Sequence, residues 1–595
     1  MVLAAILGLC AASALHAADP VETFTMDRLA PKDSWLVIGI DDVAASRERW
    51  NRTPVATWWQ TEPIQKLVKE VLEKSQKESA ERLRELGVSE DAWSAPTRVG
   101  GALYAKHDDE LDSDQAHFIL YGDWGDTADG VAAIFDAVLV DFEKTKPGRV
   151  KSVDIRGRRA SAITVKPEEP KPEIGKDGRP RRPRPRRGGF FDEGSMFQHV
   201  ETIWYVRDGS RFLLGSVEKD LDETLAAFEG LPHASVQDDP DFQASLDQVG
   251  RGDGWAVMLM APMQRVAGVS GTQFGFLQPM LTAVFGELKA FGFAVSCDQP
   301  QSQLEVHSGI CVKGDRAGVL ALPNPAVPAK PPPKFVSADA MEYGVFQIQF
   351  RDVMKLLETI VSNLPEAMAA NLDSTLQQYG PDLRKAFDAM GSDMHFFSLA
   401  DKQPGSEAAP SQGAYVIRCN DENAVTGLMN LFLPEAGFEP RDFNGHTVFT
   451  SESDEQSFGF GGEMFFIGST EVVEQCLRGG DGKLGDVPAC RQSLEAVGSD
   501  PVIAWGYSDL VASLENSREE LVAWATRVER GAVPKDQREI ADQVGIGIPL
   551  NVVEELKEID ATSLSEAFGP MQWDVRPLPN GLLTRVRFLK PAASE

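Results

Sequence analysis

Five short landmarks recur in the same order in the first and second halves of this sequence. A strand pattern that runs into a helix begins at Trp35 and again at Val345, and a strand that ends in a Gly-Ser step occurs at 212–216 and at 465–469. The other three pairs are a strand that breaks at a polar turn, a short helix with its following strand, and a closing hairpin: 118–123 with 415–420, 242–255 with 490–505, and 291–312 with 571–588. Self-similarity in a fixed order is the signature of an internal repeat, so it constrains the architecture more than any single motif does.

The repeat divides the chain into a first domain, residues 19–322, and a second domain, residues 335–595. Between them, residues 323–334 are rich in proline, which favours extended geometry, so we predict a linker. Only the first half carries an insertion rich in proline and arginine, residues 166–198, and without it the two halves are nearly equal in length. Because this composition cannot bury a core, we predict that the insertion is disordered.

Local patterning mixes helices with hairpins. Apolar residues fall at helical spacing in 64–72 and in 353–361, just after the first strand of each half. The strands mostly come as consecutive hairpins, such as 153–164 followed by 202–214. These patterns predict the α+β class: two tandem repeated domains, each a mostly antiparallel sheet with helices packed on one face.

The N-terminus is typical of an exported protein. Residues 1–18 form an apolar stretch that ends in small residues, which predicts a signal peptide cleaved near Asp19 and a periplasmic or extracellular location. No Lys or Arg precedes the apolar run, so we expect the natural start to lie upstream. A lipid anchor on Cys10 is disfavoured, because Leu9 stands where a lipid-attachment box needs a small residue.

Charge and hydropathy limit the partners. The formal net charge of -31 opposes binding to nucleic acid and to anionic membranes. Residues 266–286 carry no charge, but Gly, Ser, Gln and Pro interrupt them, and their counterpart 513–545 is densely charged. We therefore predict no membrane span after signal cleavage and no specific recognition of nucleic acid.

Five cysteines follow the predicted signal peptide, so at least one of them has no intramolecular partner. Among these cysteines, Cys476 and Cys490 are the one pair compatible with a disulfide, and whether they form it stays open. Cys297 and Cys311 lie too far out of register on a single hairpin. No Cys-x-x-Cys motif occurs, which argues against a thioredoxin-like or zinc-ribbon protein.

The sequence offers no convergent set of catalytic residues. Ser216 and Lys219 match the Ser-x-x-Lys box of penicillin-interactive enzymes, but Ser216 lies between a strand and a helix, where a hydroxyl caps backbone N–H groups. Ser469 takes the same position in the second half without a lysine. The histidines are scattered singly rather than at ligand spacing, so we predict no catalytic residue, no metal site and no cofactor.

The insertion concentrates positive charge within a strongly negative protein. Two interpretations stay open: a disordered segment without a partner, or a tether for a polyanion, which is an anionic polysaccharide, a nucleic acid or the acidic face of a neighbouring copy of this protein. The candidate polyanion-binding residues are Arg179, Arg181, Arg182, Arg184, Arg186 and Arg187.

The export signal, the strand opening at Pro31–Trp35 and the Gly-Ser step before a helix together resemble large exported bacterial proteins catalogued only as domains of unknown function. The resemblance brings no catalytic residues, and it implies an envelope or secreted location.

Our leading hypothesis is an exported, non-enzymatic protein that binds or scaffolds in the cell envelope, with a polyanion or an envelope protein as its partner. One alternative is an extracytoplasmic hydrolase whose site lies between the two domains and is assembled from residues far apart in sequence. The other is polyanion binding through the basic insertion.

Overall fold

A computed structural model of the chain describes most of the sequence, in several stretches. The predicted signal peptide and most of the insertion 166–198 lie outside the described residues. These residues are 24–109, 112–165, 173–174, 180–181, 197, 199–269, 282, 284–323, 326–363, 366–399, 412–432, 437–451, 455–479, 483–529 and 561–591.

Long strands and short connections dominate the described residues. In the first half the strands are β1 (Ser34–Ile40), β2 (Arg98–Asp108), β3 (Ser113–Asp123), β4 (Val150–Ile155), β5 (Arg158–Thr164), β6 (Glu173–Ile174), β7 (Pro180–Arg181), β8 (Thr202–Asp208), β9 (Arg211–Gly215), β10 (Gly254–Leu259), β11 (Leu288–Cys297) and β12 (Ser302–Val312). In the second half they are β13 (Ala340–Gln347), β14 (Met390–Leu399), β15 (Gly413–Cys419), β16 (Phe438–Phe443), β17 (His446–Ser451), β18 (Gln456–Gly461), β19 (Met464–Ser469), β20 (Ala504–Ser508), β21 (Met571–Leu578) and β22 (Gly581–Leu589).

Helices join many of these strands. They are α1 (Met26–Leu29), α2 (Val43–Asn51), α3 (Pro54–Trp59), α4 (Glu62–Glu85), α5 (Ala128–Thr145), α6 (Glu218–Phe228), α7 (Pro240–Val249), α8 (Met260–Val269), α9 (Phe350–Asn363), α10 (Glu366–Ala389), α11 (Glu422–Phe432), α12 (Thr470–Arg478), α13 (Pro488–Val497), α14 (Leu510–Glu529) and α15 (Ala561–Ala567). Both helices predicted from apolar spacing form, as α4 and α9.

Twenty of the described strands form one antiparallel sheet, and β6 and β7 pair separately with each other. Outward from its middle, the first half runs β12-β11-β10-β1-β2-β3-β9-β8-β5-β4. The second half runs β22-β21-β20-β13-β14-β15-β19-β18-β17-β16, which is the same order of corresponding strands. The predicted α+β class is confirmed.

The two halves meet at the ladder between β12 and β22. Nine residue pairs join these strands, so the sheet continues from one half into the other where the sequence had suggested a sheet for each domain. His307 pairs with Ala294 within the first half, and Arg585 takes the corresponding place opposite Asp574 in the second. At the junction His307 and Arg585 lie opposite each other.

Helices cover both faces of the sheet, so the prediction of helices on one face is wrong. On what we call the front face, Leu213 of β9 packs in a core with Leu221 of α6. On the back face, the neighbouring Phe212 packs with Val131 of α5. The reason is that β9 has consecutive apolar residues, and successive side chains of a strand point to opposite faces.

The predicted linker lies against the second half. Val327 and Val502 exchange two backbone hydrogen bonds, with N–H to O distances of 3.0 and 2.9 Å. The carbonyl of Val336 then accepts a hydrogen bond from the backbone N–H of Leu484. We call residues 326–334 the strap, because they cross the front face of the second half.

Cys476 and Cys490, for which a disulfide was left open, do not form one. The described cysteines are free thiols, and both of these are buried in the apolar core of the second half. Burial raises the pKa of each thiol to about 12, because the thiolate is poorly solvated there. The core packs them as small apolar side chains.

A buried ionic cluster lies on the front face beside the junction. Asp574 is completely buried, and its carboxylate contacts Arg576 at 2.8 Å, Arg585 at 2.9 Å and Arg587 at 3.3 Å. Arg587 also reaches Glu305 of β12 at 3.3 Å, which ties the two halves together. Arg576 and Arg587 further donate to the last carbonyls of α13, where positive charge suits the helix dipole.

We expect Asp574→Ala to destabilise the protein by about 3–5 kcal/mol, because it leaves buried guanidinium groups without their shared counter-charge. Asp500→Ala is the matched control: this exposed carboxylate also pairs with Arg576, and its loss should cost less than about 1 kcal/mol. Urea unfolding of the two variants measures the difference. Equal losses would show that the buried cluster contributes no more than a surface pair.

Candidate functional site

One of the six candidate arginines of the basic insertion lies within the described residues. The backbone of Arg181 lies in β7 opposite Glu173. The other five candidates lie outside the described residues: Arg179, Arg182, Arg184, Arg186 and Arg187.

Ser216 does not cap a helix as predicted. Its hydroxyl accepts a hydrogen bond from the backbone N–H of Phe118 on β3 at 3.1 Å, and Val217 is the N-cap of α6. Ser469 is the N-cap residue of α12, but its buried hydroxyl makes no cap bond and has no partner among the described residues. Lys219 points to Glu223 at 3.6 Å on the exposed side of α6.

Ser216 belongs to a polar cluster that is closed by its own hydrogen bonds. Its Oγ lies 3.0 Å from Nδ1 of His117, whose pKa is lowered to about 4 by burial and by the neighbouring His199. The carboxylate of Asp220 accepts from the Tyr104 hydroxyl at 2.6 Å and from the Lys106 ammonium at 2.7 Å. A serine nucleophile needs a basic histidine that a third group orients. Here the histidine is weakly basic, and the carboxylate is engaged by other donors.

A cavity of about 250 Å³ lies between the strap and the front face of the second half. Its volume is slightly below the range of about 300–1,000 Å³ that is usual for drug-sized ligands. The wall is formed by strap residues and by side chains from β13, β14, β15, β19 and β20. The lining residues are Val327, Pro328, Ala329, Lys330, Pro331, Pro333, Tyr343, Val345, Gln347, Asp393, His395, Arg418, Met464, Val502, Ile503, Ala504 and Trp505.

Strand register places the polar residues of this strap cavity together. On β13, Tyr343, Val345 and Gln347 share a face, because alternate residues of a strand point the same way. Antiparallel pairing sets His395 opposite Val345 and Asp393 opposite Gln347. The floor of the strap cavity is therefore formed by alternate residues of β13 and by the residues opposite them on β14.

A buried aromatic pair anchors this floor. The hydroxyl of Tyr343 lies 3.0 Å from Nδ1 of His395, and both residues are buried. Burial lowers the pKa of His395 to about 4 and raises that of Tyr343. Both groups are therefore neutral at pH 7, and they present hydrogen-bonding atoms rather than charge.

Other polar groups of the strap cavity have unused capacity. The side-chain amide of Gln347 forms no hydrogen bond to the part of the chain that is described, and the buried indole N–H of Trp505 has no acceptor there. At the rim, Lys330 and Arg418 are exposed and form no ion pair with a described carboxylate. Asp393 accepts a hydrogen bond from the hydroxyl of Ser392 at 3.0 Å. Buried polar groups in folded proteins are mostly paired, so this lining is suited to a polar ligand.

Sequence reasoning missed this site. The proline-rich composition of the strap predicts a spacer between domains, and the floor residues belong to no motif. The one available signal was the recurrence of Trp255 as Trp505, which marks corresponding front-face positions in the two halves.

Within the described ranges, no group of three or more His, Cys, Asp or Glu side chains is placed to hold a metal ion. No described helix combines the length and the apolar character that crossing a bilayer requires. Both statements concern the described residues alone.

Neither a protein-family model nor a curated protein matches the chain. Among solved structures, the chain is similar to one titled "Structure of crystal form I of TP0453", with 12% sequence identity and a TM-score of 0.22. The match covers 45% of this chain and 82% of that chain. At this TM-score the likeness carries no argument about fold or function.

We expect His395→Gln to reduce the pH dependence of stability. In the unfolded chain a histidine binds a proton near pH 6.5, whereas the folded His395 does so only near pH 4, so its stabilising effect is complete above 6.5 and is lost as the pH falls towards 4. Between pH 7 and pH 4 the wild type should lose up to roughly 3 kcal/mol more stability than the variant. Urea unfolding at the two pH values measures this difference. Parallel losses in both proteins would contradict the assignment.

Proposed function

We propose that this chain is an exported, non-enzymatic binding protein of the cell envelope, and that its second half binds a small ligand in the strap cavity. The observation that carries the proposal is the unused hydrogen-bonding capacity of Gln347 and Trp505 in a partly enclosed wall. An enclosed site with a few convergent polar groups is the usual form of a ligand site. The proposal that the protein is exported rests on the apolar residues 1–18.

We also propose that the two halves are tandem repeats that arose by duplication of one segment. Supporting this origin are the matching order of ten strands in each half and the corresponding positions of Trp255 and Trp505. After duplication, copies can diverge at their sites while they keep the shared packing. On this proposal the first half serves as structural support, and the second half carries the ligand.

The Ser216 cluster and the junction are weaker sites for the alternative hydrolase. Ser216 lies within the first half rather than between the halves, and Asp220 is bound by Tyr104 and Lys106. On the front face, the junction is filled by the buried carboxylate of Asp574 and its arginine partners. A binding role needs none of these groups to react.

We expect the wild-type protein to bind some members of a library of small polar fragments, detected by saturation-transfer NMR. Ala329→Phe should abolish this binding, because Ala329 lines the strap cavity and a phenyl ring there fills it. Ala326→Phe is the control, since Ala326 lies on the same strap but not in the cavity wall. Melting temperatures establish that both variants fold. A library in which nothing binds, or binding that survives Ala329→Phe, would refute the proposal.

Polyanion binding is a second candidate, favoured by six arginines within nine residues of a protein with net charge -31. The full-length protein should then be retained on a heparin column at low salt, and deletion of residues 166–198 should abolish retention. Deletion of the uncharged segment 270–281 is a control that leaves these arginines in place. Intact protein that passes through the column unretained would exclude this function.

A further inference from the structure

We infer that the ligand of the strap cavity is a small organic carboxylate. The inference rests on the proposed function and adds the chemical class of the ligand. It comes from a comparison of the strap cavity with the corresponding place in the first half, where the chain fills the space itself.

Backbone hydrogen bonds define which residues correspond. The carbonyl of Ala30 accepts from Val236 N–H in the first half, and the carbonyl of Val336 accepts from Leu484 N–H in the second. The segment before β1 therefore corresponds to the strap before β13. Counting back from these carbonyls, Asp27 corresponds to Pro333.

In the first half, two carboxylates and a guanidinium occupy this place. Arg251 contacts Asp27 at 2.7 Å and Asp41 at 3.3 Å, and Asp27 is completely buried. Asp41 also accepts a hydrogen bond from the indole N–H of Trp255 at 3.2 Å. The guanidinium of Arg251 lies over the ring of Trp255, 5.2 Å from its centroid. The first half thus satisfies the indole N–H with a carboxylate of its own.

In the second half, the tryptophan is kept and its charged neighbours are lost. Through the β1–β10 and β13–β20 ladders, Gly39 opposite Trp255 corresponds to Val345 opposite Trp505. Gln347 therefore replaces Asp41, and Pro501 replaces Arg251. Pro333, Gln347 and Trp505 all line the strap cavity, so the cavity lies where the first half holds its carboxylates.

Two charges around the cavity also differ between the halves. Register on β2 and β3 matches Arg98 with Asp393 and Asp123 with Arg418, so a cation and an anion exchange places and their summed charge stays the same. With Lys330 added by the strap, the lining has two cations and one carboxylate, a net charge of one positive. His395 is neutral at pH 7 and does not alter this balance.

A ligand carboxylate takes the place of the carboxylates that the first half holds beside its tryptophan. It accepts from the unpaired N–H of Trp505 and from the Gln347 amide, and it meets Lys330 and Arg418 at the rim. Hydrogen bonds that involve an ionised group are stronger than neutral ones. The apolar side chains of Val345, Val502 and Met464 then hold a short hydrocarbon body.

Isothermal titration calorimetry with three acids tests the inference on the full chain. The probes are acetate, succinate and benzoate, each compared with its uncharged amide: acetamide, succinamide and benzamide. At least one acid should bind, and its amide should bind about tenfold more weakly or not at all.

Two matched strap variants locate the binding. Lys330→Gln should weaken binding of that acid by about threefold, because Lys330 lines the cavity at an exposed rim. Lys334→Gln removes the same charge from an exposed strap residue outside the lining, and it should leave the affinity unchanged. Both side chains are exposed, so both variants should fold.

The outcomes separate this inference from the proposed function. Fragments that bind in an Ala329-dependent manner while none of the three acids binds would refute the carboxylate class and leave the binding function standing. Amides that bind as tightly as their acids, or equal effects of Lys330→Gln and Lys334→Gln, would also overturn the inference. If no fragment and no acid binds, both proposals fail.

Discussion

The ladder between β12 and β22 is the interaction on which the rest of the structure depends. Nine residue pairs make one sheet of two halves, and the ion pairs that run from buried Asp574 through Arg587 to half-buried Glu305 cross the same boundary. A buried charge without its partners is strongly unfavourable, so these groups tie the two halves to one relative register. The strap, which connects the two halves in sequence, lies across the front face of the second half.

Much of the fold could be predicted from local patterns, and the register could not. The helices at 62–85 and 350–363 and the strands that end at Gly215 and Ser469 follow from local patterns, because those signals are local. The first landmark paired Trp35 with Val345, whereas the ladders match Val345 with Gly39, four residues further on. Strand patterns repeat every two residues, so a shift by an even number preserves the alternation and escapes notice.

The candidate site could not be predicted because its wall is assembled from five strands and the strap. Gln347 and Asp393 come together only through a ladder, and nothing in either local sequence signals the pairing. Proline-rich residues 323–334 have the composition of a spacer, and composition does not reveal what a segment lies against. By contrast, the local pattern of each segment predicts a helix or a hairpin, and together these elements define the fold class.

The twenty-stranded sheet has consequences at its two ends. Among the described strands, β4 and β16 have one neighbouring strand each, so one side of each has no strand partner in that part of the chain. Lys151 and Asp154 are exposed on β4, and Glu439 and Pro440 are exposed on β16. Charged side chains and a proline without an N–H discourage the addition of a further strand. The two edge strands of this sheet therefore carry residues that oppose edge-to-edge aggregation, a process that adds strands to a sheet.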